Sequence, residues 1–205
     1  MPSVMSWLMA TIYDRFMAQM ERASGDAWRR ELMAKLHGDV LEIGAGTGRN
    51  LEFYPRLARL VLAEPDVHMR RRLEAAMDPA KPAEIVSWSA DALACADASF
   101  DAVVSTLVLC SVADPAASLK EIHRVLRPGG KLVFLEHVVS PKESRRRWQR
   151  LVEPLWKPLA EGCHLCRDTE ASIRDAGFSI ATIERESARK ALPIIRHMIR
   201  GTATA

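Results

Sequence analysis

Val40 to Arg49 reads VLEIGAGTGR, an apolar run that breaks into glycines at every second position, Gly44, Gly46 and Gly48. The run has the length of a buried strand rather than a helix. A glycine turn directly after a strand lets the backbone approach a nucleotide-like ligand closely. The stretch therefore predicts an interior strand with a ligand at its C-terminal end.

The rest of the chain repeats this alternation. A helical segment around Trp28 to His37 precedes the strand, and NLEFYPRL follows as a helix start or short turn. RLVLAEP is a second buried strand, and DVHMRRRLEAAM is a helix with Asp66 as its N-cap. AEIVSWSADA and SFDAVVSTLVLCSV supply a third and a fourth strand; the fourth is apolar almost throughout, as a strand covered on both faces should be. DPAASLKEIHRVLRPGG is a helix with Asp114 as cap, Pro115 in its first turn and an apolar face of Leu119, Ile122, Val125 and Leu126. KLVFLEHV is a fifth strand, followed by a charged helical stretch through Arg150. DTEASIRDAGF is another capped helix, SIATIER another strand, and the tail HMIRGTATA a last edge strand. Strands alternating with helices predict an α/β fold with a mostly parallel sheet, whose ligands bind beyond the C-terminal strand ends.

The chain has 205 residues, and no linker or repeat divides it, so a single domain spanning 1–205 is expected. A net charge of +3 gives no argument for nucleic acid as a partner. The four cysteines do not form a secreted disulfide framework, which predicts a reducing, cytoplasmic setting. No apolar run reaches the roughly 20 residues that span a bilayer, and no signal peptide is evident. The N-terminus, MPSVMSWLMATIY, carries no charged side chain, and Met5, Leu8, Met9, Ile12 and Phe16 recur at helical spacing. It reads either as a helix packing on the domain as a lid or as an interfacial helix giving peripheral membrane contact.

The glycines do not fit a dinucleotide site, because the third glycine of that pattern falls at Arg49. A P-loop is excluded by the lack of a Lys followed by Ser or Thr. Glu64 ends the second strand, where an acid accepts hydrogen bonds from both ribose hydroxyls. Asp91, in SADA, stands where a carboxylate can meet an adenine amino group.

VLEIGAGTG, Glu64, ADA, FDAVVS and LRPGG, in this order, resemble the class I S-adenosylmethionine-dependent methyltransferases, from about residue 38 to 140. The resemblance implies a doubly wound, seven-stranded Rossmann-like sheet with helices on both faces. It implies a cofactor-binding core at 38–140, a helical segment at 1–37 and a substrate-side part at 141–205. Gly44, Gly46 and Gly48 would admit the methionine portion of S-adenosylmethionine, and Glu64 would hold its ribose. Pro65 and Met69 would flank the adenine, with Asp91 and Ala92 at its edge. Thr106 would lie near the methionine end, and Tyr13 would close over the site. S-adenosylhomocysteine would leave as product.

NLEFYP, TLVLCSV, HRVLRPGG, FLEHV and GCHLCRDT resemble the thiol methyltransferases among the methyltransferase-like proteins, although that group has Thr where Cys166 stands. The implied reaction is in-line methyl transfer to a small apolar thiol, which needs alignment rather than a metal. Cys110 and His137, each at the active end of a strand, are the candidate catalytic side chains, with Glu136 beside them. Cys163 and His164 are candidates for the substrate wall. Cys163 and Cys166 lack the second pair that a structural zinc site expects. The run KESRRRWQR could meet anionic lipid or an acidic substrate, or form a solvated helix face. Two further readings stay open: a lipid or quinone acceptor at a membrane surface, and an S-adenosylmethionine-binding protein without turnover. Methylation of a DNA amino group is not expected, since no N-P-P-Y-like run follows the fourth strand.

Overall fold

A computed structural model describes residues 19–160 and 162–205. A π-helical turn, Glu21–Gly25, leads into α1 (Asp26–Met33). Then come β1 (Asp39–Ile43), a 3-10 turn (Leu51–Phe53), β2 (Arg59–Ala63), α2 (Val67–Ala76), β3 (Glu84–Val86) and β4 (Phe100–Thr106). The C-terminal part contains α3 (Pro115–Val125), β5 (Leu126–His137), α4 (Glu143–Leu159), α5 (Thr169–Asp175), β6 (Ser179–Ser187) and β7 (His197–Thr204).

The strands form one seven-stranded sheet in the order β3-β2-β1-β4-β5-β7-β6. β1 to β5 run parallel, and β7 is antiparallel to both β5 and β6. The tail strand is therefore interior and β6 is the edge. β7 reaches that place by pairing along both sides, with β5 from Lys131 to His137 and with β6 from Ser179 to Ser187.

The period-two alternation of strand side chains divides the core into two layers. Val40, Leu62, Ala102, Val104, Val133 and Leu135 face α1 and α2, meeting Trp28, Leu32 and Leu73. Leu41, Ile43, Val61, Val103, Leu132 and Phe134 face α3 and α5, meeting Leu119, Ile122, Val125 and Ile173. Each such buried side chain is worth about 2 kcal/mol of transfer free energy, so the helices are held by sheet contact rather than by propensity.

The expected caps form. Asp66 accepts from the His68 and Met69 amides, and Asp114 from those of Ala116 and Ala117. At the opposite end of the sheet from the glycine turn, Arg127 bridges Asp39 (2.8 Å) and Asp101 (2.7 Å). One helix runs longer than its sequence suggests. α4 continues past Arg150 through Pro154 and Pro158 to Leu159. Both prolines lie on its exposed side, where water can satisfy the carbonyls they leave unpaired.

Candidate active site

A cavity of about 390 Å³ opens at the C-terminal ends of β1, β2 and β4. The turn after β1 contributes Gly44, Ala45, Gly46 and Thr47, and the segment after β2 contributes Glu64, Pro65, Asp66 and Met69. Ser89 and Ala90 come from the loop after β3; Thr106, Leu107, Val108, Ser111 and Val112 come from the end of β4 and beyond. Arg29 of α1, Glu42 of β1, Arg49 after the turn and Ala160, just past α4, complete the wall.

The glycines of the turn differ in what they do. Gly44 has φ +56°, and a Cβ there would lie 2.6 Å from Val108 Cγ2. Gly46 has φ +59°, yet its Cβ would meet nothing nearer than the Gly44 carbonyl oxygen at 4.0 Å. Gly46 thus leaves an open cradle in the cavity wall. Gly48 does not line the cavity: a Cβ there would lie 2.7 Å from Leu51 and 2.9 Å from Leu73, so it serves the packing of α2 against the turn.

Glu64 clasps the cradle. One carboxylate oxygen accepts from the Gly46 amide and the other from the Asp66 amide, both at 2.8 Å. Burial raises its pKa, and the same two amides oppose that rise. Each oxygen keeps a second lone pair, enough to accept from a pair of neighbouring hydroxyls.

Arg29, Glu42 and Thr106 of this wall belong to a polar network that the sequence did not reveal. Glu42 is 2% exposed. It accepts from Asn50 Nδ2 and from the Tyr54 hydroxyl, both at 2.7 Å. Arg29 donates to Asn50 Oδ1 (2.6 Å) and Thr106 Oγ1 (3.1 Å), and forms a paired contact with Glu21 at 2.9 and 3.0 Å. Burial pushes the Glu42 carboxyl up to about 7 despite these donors. Burial and the adjoining Glu42 also raise the Tyr54 hydroxyl well above its ordinary value. The only sequence signal was an acid inside an otherwise apolar strand.

Known proteins match this architecture and this chain. The methyltransferase-domain family model matches residues 41–134. The thiol S-methyltransferase TMT1B of Rattus norvegicus is 37% identical over 94% of this chain and 83% of its own length. The thiol S-methyltransferase TMT1A of Homo sapiens is 34% identical over 80% of this chain and 69% of its own length. The chain belongs to the S-adenosylmethionine-dependent methyltransferases. A solved methyltransferase of that dependence from Thermotoga maritima shares the fold, with a TM-score of 0.71 over 98% of both chains at 19% identity.

In this chain, Gly44, Gly46, Glu64, Pro65, Met69 and Thr106 line one cavity. Asp91 and Ala92 do not line it. Both are exposed, Asp91 accepts from the Ser89 hydroxyl, and the loop presents Ser89 and Ala90 to the cavity instead. Tyr13 lies outside the described residues.

The acceptor-side candidates sit behind the wall rather than in it. Glu136 is fully buried and gathers the loop after β4, accepting from the Ser105 hydroxyl (2.7 Å) and from the amides of Val108, Leu109 and Cys110 at 3.1 to 3.2 Å. Cys110 is buried, and its thiol meets that of Cys163. This contact pulls Cys163 below the usual thiol range, helped by His137 and Trp156, while the contact and burial push Cys110 above it. Neither His137 Nδ1 nor Trp156 Nε1 completes a hydrogen bond, and His137 Nε2 contacts the Ile194 carbonyl at 3.2 Å. The His164 amide donates to the Cys110 carbonyl at 2.9 Å, while its ring meets Glu153 Oε1 at 3.1 Å, and His164 does not line this cavity. Their neighbours Ser111, Val112 and Ala160 are the residues that reach the cavity.

Proposed function

We propose that this enzyme methylates a small, apolar thiol. The observation that carries the acceptor class is the 37% identity to a thiol S-methyltransferase over 94% of the chain. The open cradle at Gly46 and the clasped Glu64 carboxylate suit the donor.

When bound, S-adenosylmethionine supplies a methyl group already activated by its sulfonium. The residues then have binding and alignment to perform. Gly44 and Gly46 let the backbone approach the methionine portion. Glu64 accepts from the ribose hydroxyls through its remaining lone pairs. Pro65 and Met69 flank the adenine, with Ser89 and Ala90 at its edge and Asp91 and Ala92 on the rim. Thr106, held by Arg29 and Asn50, faces the methionine end. Tyr13 belongs to the same proposal as a covering residue.

The acceptor approaches along Val108, Ser111, Val112 and Ala160. A free thiol is only a few per cent ionised at neutral pH, so holding it in line at near-contact distance is the main gain. Cys110, His137, Cys163 and His164 set this wall from behind. The contact of Gly162 with the Ser111 carbonyl, where an added Cβ would lie 2.9 Å away, brings the two wall segments together. Residues 38–140 then serve the donor and 141–205 the acceptor within one domain.

The test is a panel of thiols, quinones and phospholipids with a labelled methyl donor. Transfer to apolar thiols is expected; silence with every thiol, or transfer to a quinone alone, would remove this acceptor class.

A further inference from the structure

We propose that the outward face of α4 is a docking surface for an anionic lipid bilayer. Trp148, Leu151, Leu155 and Leu159 are spaced by three, four and four residues, and are 62, 69, 72 and 58% exposed. That spacing puts them on one stripe of the helix. The opposite side already has its core contacts: Gln149 is buried, accepting from the Ser140 amide and donating to the Ile194 carbonyl, and Val152 and Trp156 pack on the core. Among the described residues, nothing covers this second apolar face of α4. Single exposed leucines are ordinary, whereas four large apolar side chains in line mark an interaction surface.

Charge identifies the occupant. Arg147, Arg150 and Lys157 are exposed alongside the stripe, and Lys142 stands at its start. Glu143 is paired with Arg146 and Arg147, and Glu153 turns inward to His164 and the Cys166 amide. A shallow cavity of about 390 Å³ follows this basic edge, where Arg150 and Lys157 flank Glu153, whose carboxylate is taken up by the His164 ring and the Cys166 amide. It offers two cations beside an apolar stripe, the chemistry that receives a phosphate headgroup while leucines enter the acyl boundary. A basic edge, an apolar stripe and an interfacial Trp describe a helix lying in the plane of a bilayer surface. A second copy on a two-fold axis would set the same cations against themselves. No described helix is long and apolar enough to cross a membrane.

Ala160, the residue after α4, lines the donor cavity. Docking through α4 therefore brings the acceptor wall to the lipid surface, where an apolar acceptor concentrates. This consequence rests on the methyl-transfer reading; the docking does not.

The experiment is flotation of the whole chain with vesicles of phosphatidylcholine, alone or mixed with phosphatidylserine. The chain should float with the anionic vesicles and detach at high salt. Leu151→Glu with Leu155→Glu should lower the bound fraction about tenfold or more, and Arg150→Ser with Lys157→Ser should remove the preference for phosphatidylserine. Calorimetry with S-adenosylmethionine should give unchanged affinity in both variants, showing that they are folded. Equal flotation of the parent and the glutamate variant would overturn the proposal, as would indifference to phosphatidylserine. A dimer that dissociates in the glutamate variant would assign the face to a second copy and overturn it too. A parent that floats but binds no S-adenosylmethionine would remove the methyl-transfer reading and leave the docking supported.

Discussion

The sides of the cleft proposed for the donor and for the acceptor are held together by different kinds of contact. On the proposed donor side, Glu64 ties two backbone amides, that of Asp66 two positions on and that of Gly46 18 positions back. On the acceptor side, Glu136 reaches back more than 25 residues to gather Ser105, Val108, Leu109 and Cys110. Both carboxylates are buried, and burial raises the pKa of each. Glu64 keeps capacity for a ligand because only two donors use it. Glu136 has four donors and little left to offer. A buried acid at a strand end thus has lone pairs free for the proposed ligand in one case and is a loop fastener in the other, and the number of internal donors makes the difference.

Breaking the fastener should cost most. Glu136→Ala leaves a hydroxyl and three amides without their acceptor in a dry site. At about 1–3 kcal/mol for each unsatisfied group, with some relief from water, the loss is about 4 kcal/mol of stability. Thermal and denaturant unfolding would measure it. Glu136→Gln keeps one accepting oxygen and should lose less. An alanine variant within about 1 kcal/mol of the parent would show that the loop is held elsewhere.

Breaking the clasp should cost less stability and more binding. Glu64→Ala should weaken S-adenosylmethionine binding about 100-fold, roughly 2.8 kcal/mol at 1.4 kcal/mol per tenfold. Asp91→Ala should change it less than about threefold, because Asp91 is exposed and off the cavity wall. Calorimetry on the pair sharpens the comparison: equal losses would move the adenine contact out to the rim.

This pair also shows what the sequence made legible. Gly44, Gly46 and Glu64 could be found because a turn after a strand and an acid at the next strand end are local patterns. The Glu42 network could not, because Glu21, Arg29, Asn50, Tyr54 and Thr106 come from different elements and meet only after the sheet and α1 pack. The interior place of β7 was hidden for the same reason: strand order is set by pairing on both sides, not by position at the chain end. Gly48 and Asp91 match the family spacing, yet packing turns one towards Leu73 and the loop after β3 leaves the other outside. On α4, the helical reading ends at Arg150, whereas the helix runs on through Pro154 and Pro158, because breakers on a solvated helix side leave the core contacts of Val152 and Trp156 intact.

A third buried carboxylate, Glu42, gives a pH signature of its own. In the folded enzyme Glu42 holds its proton to about pH 7, whereas the unfolded chain releases it near 4.5. Its contribution to stability is therefore fully present below pH 4.5 and is lost as pH rises through 7. Between pH 5 and 7.5 the parent should lose about 2 kcal/mol relative to Glu42→Gln, which cannot titrate. Denaturant unfolding of both proteins across that range checks it; parallel curves would mean that Glu42 is ionised throughout, stabilised by Arg29.

The smallest effect is expected where the acceptor wall is set from behind. Cys163→Ser keeps a hydrogen-bonding group beside Cys110 and His137 but shortens the contact and removes the low-pKa thiol. If the thiol only positions Ser111 and Ala160, KM for the acceptor should rise about threefold. Affinity for S-adenosylmethionine and the pH profile of kcat should stay as in the parent. If instead the Cys163 thiolate receives the acceptor's proton, kcat should fall steeply and its acid limb should shift, with KM little changed. The split between KM and kcat separates a wall held by side chains from a wall that takes part in the chemistry, a distinction the donor side, held by backbone amides, does not raise.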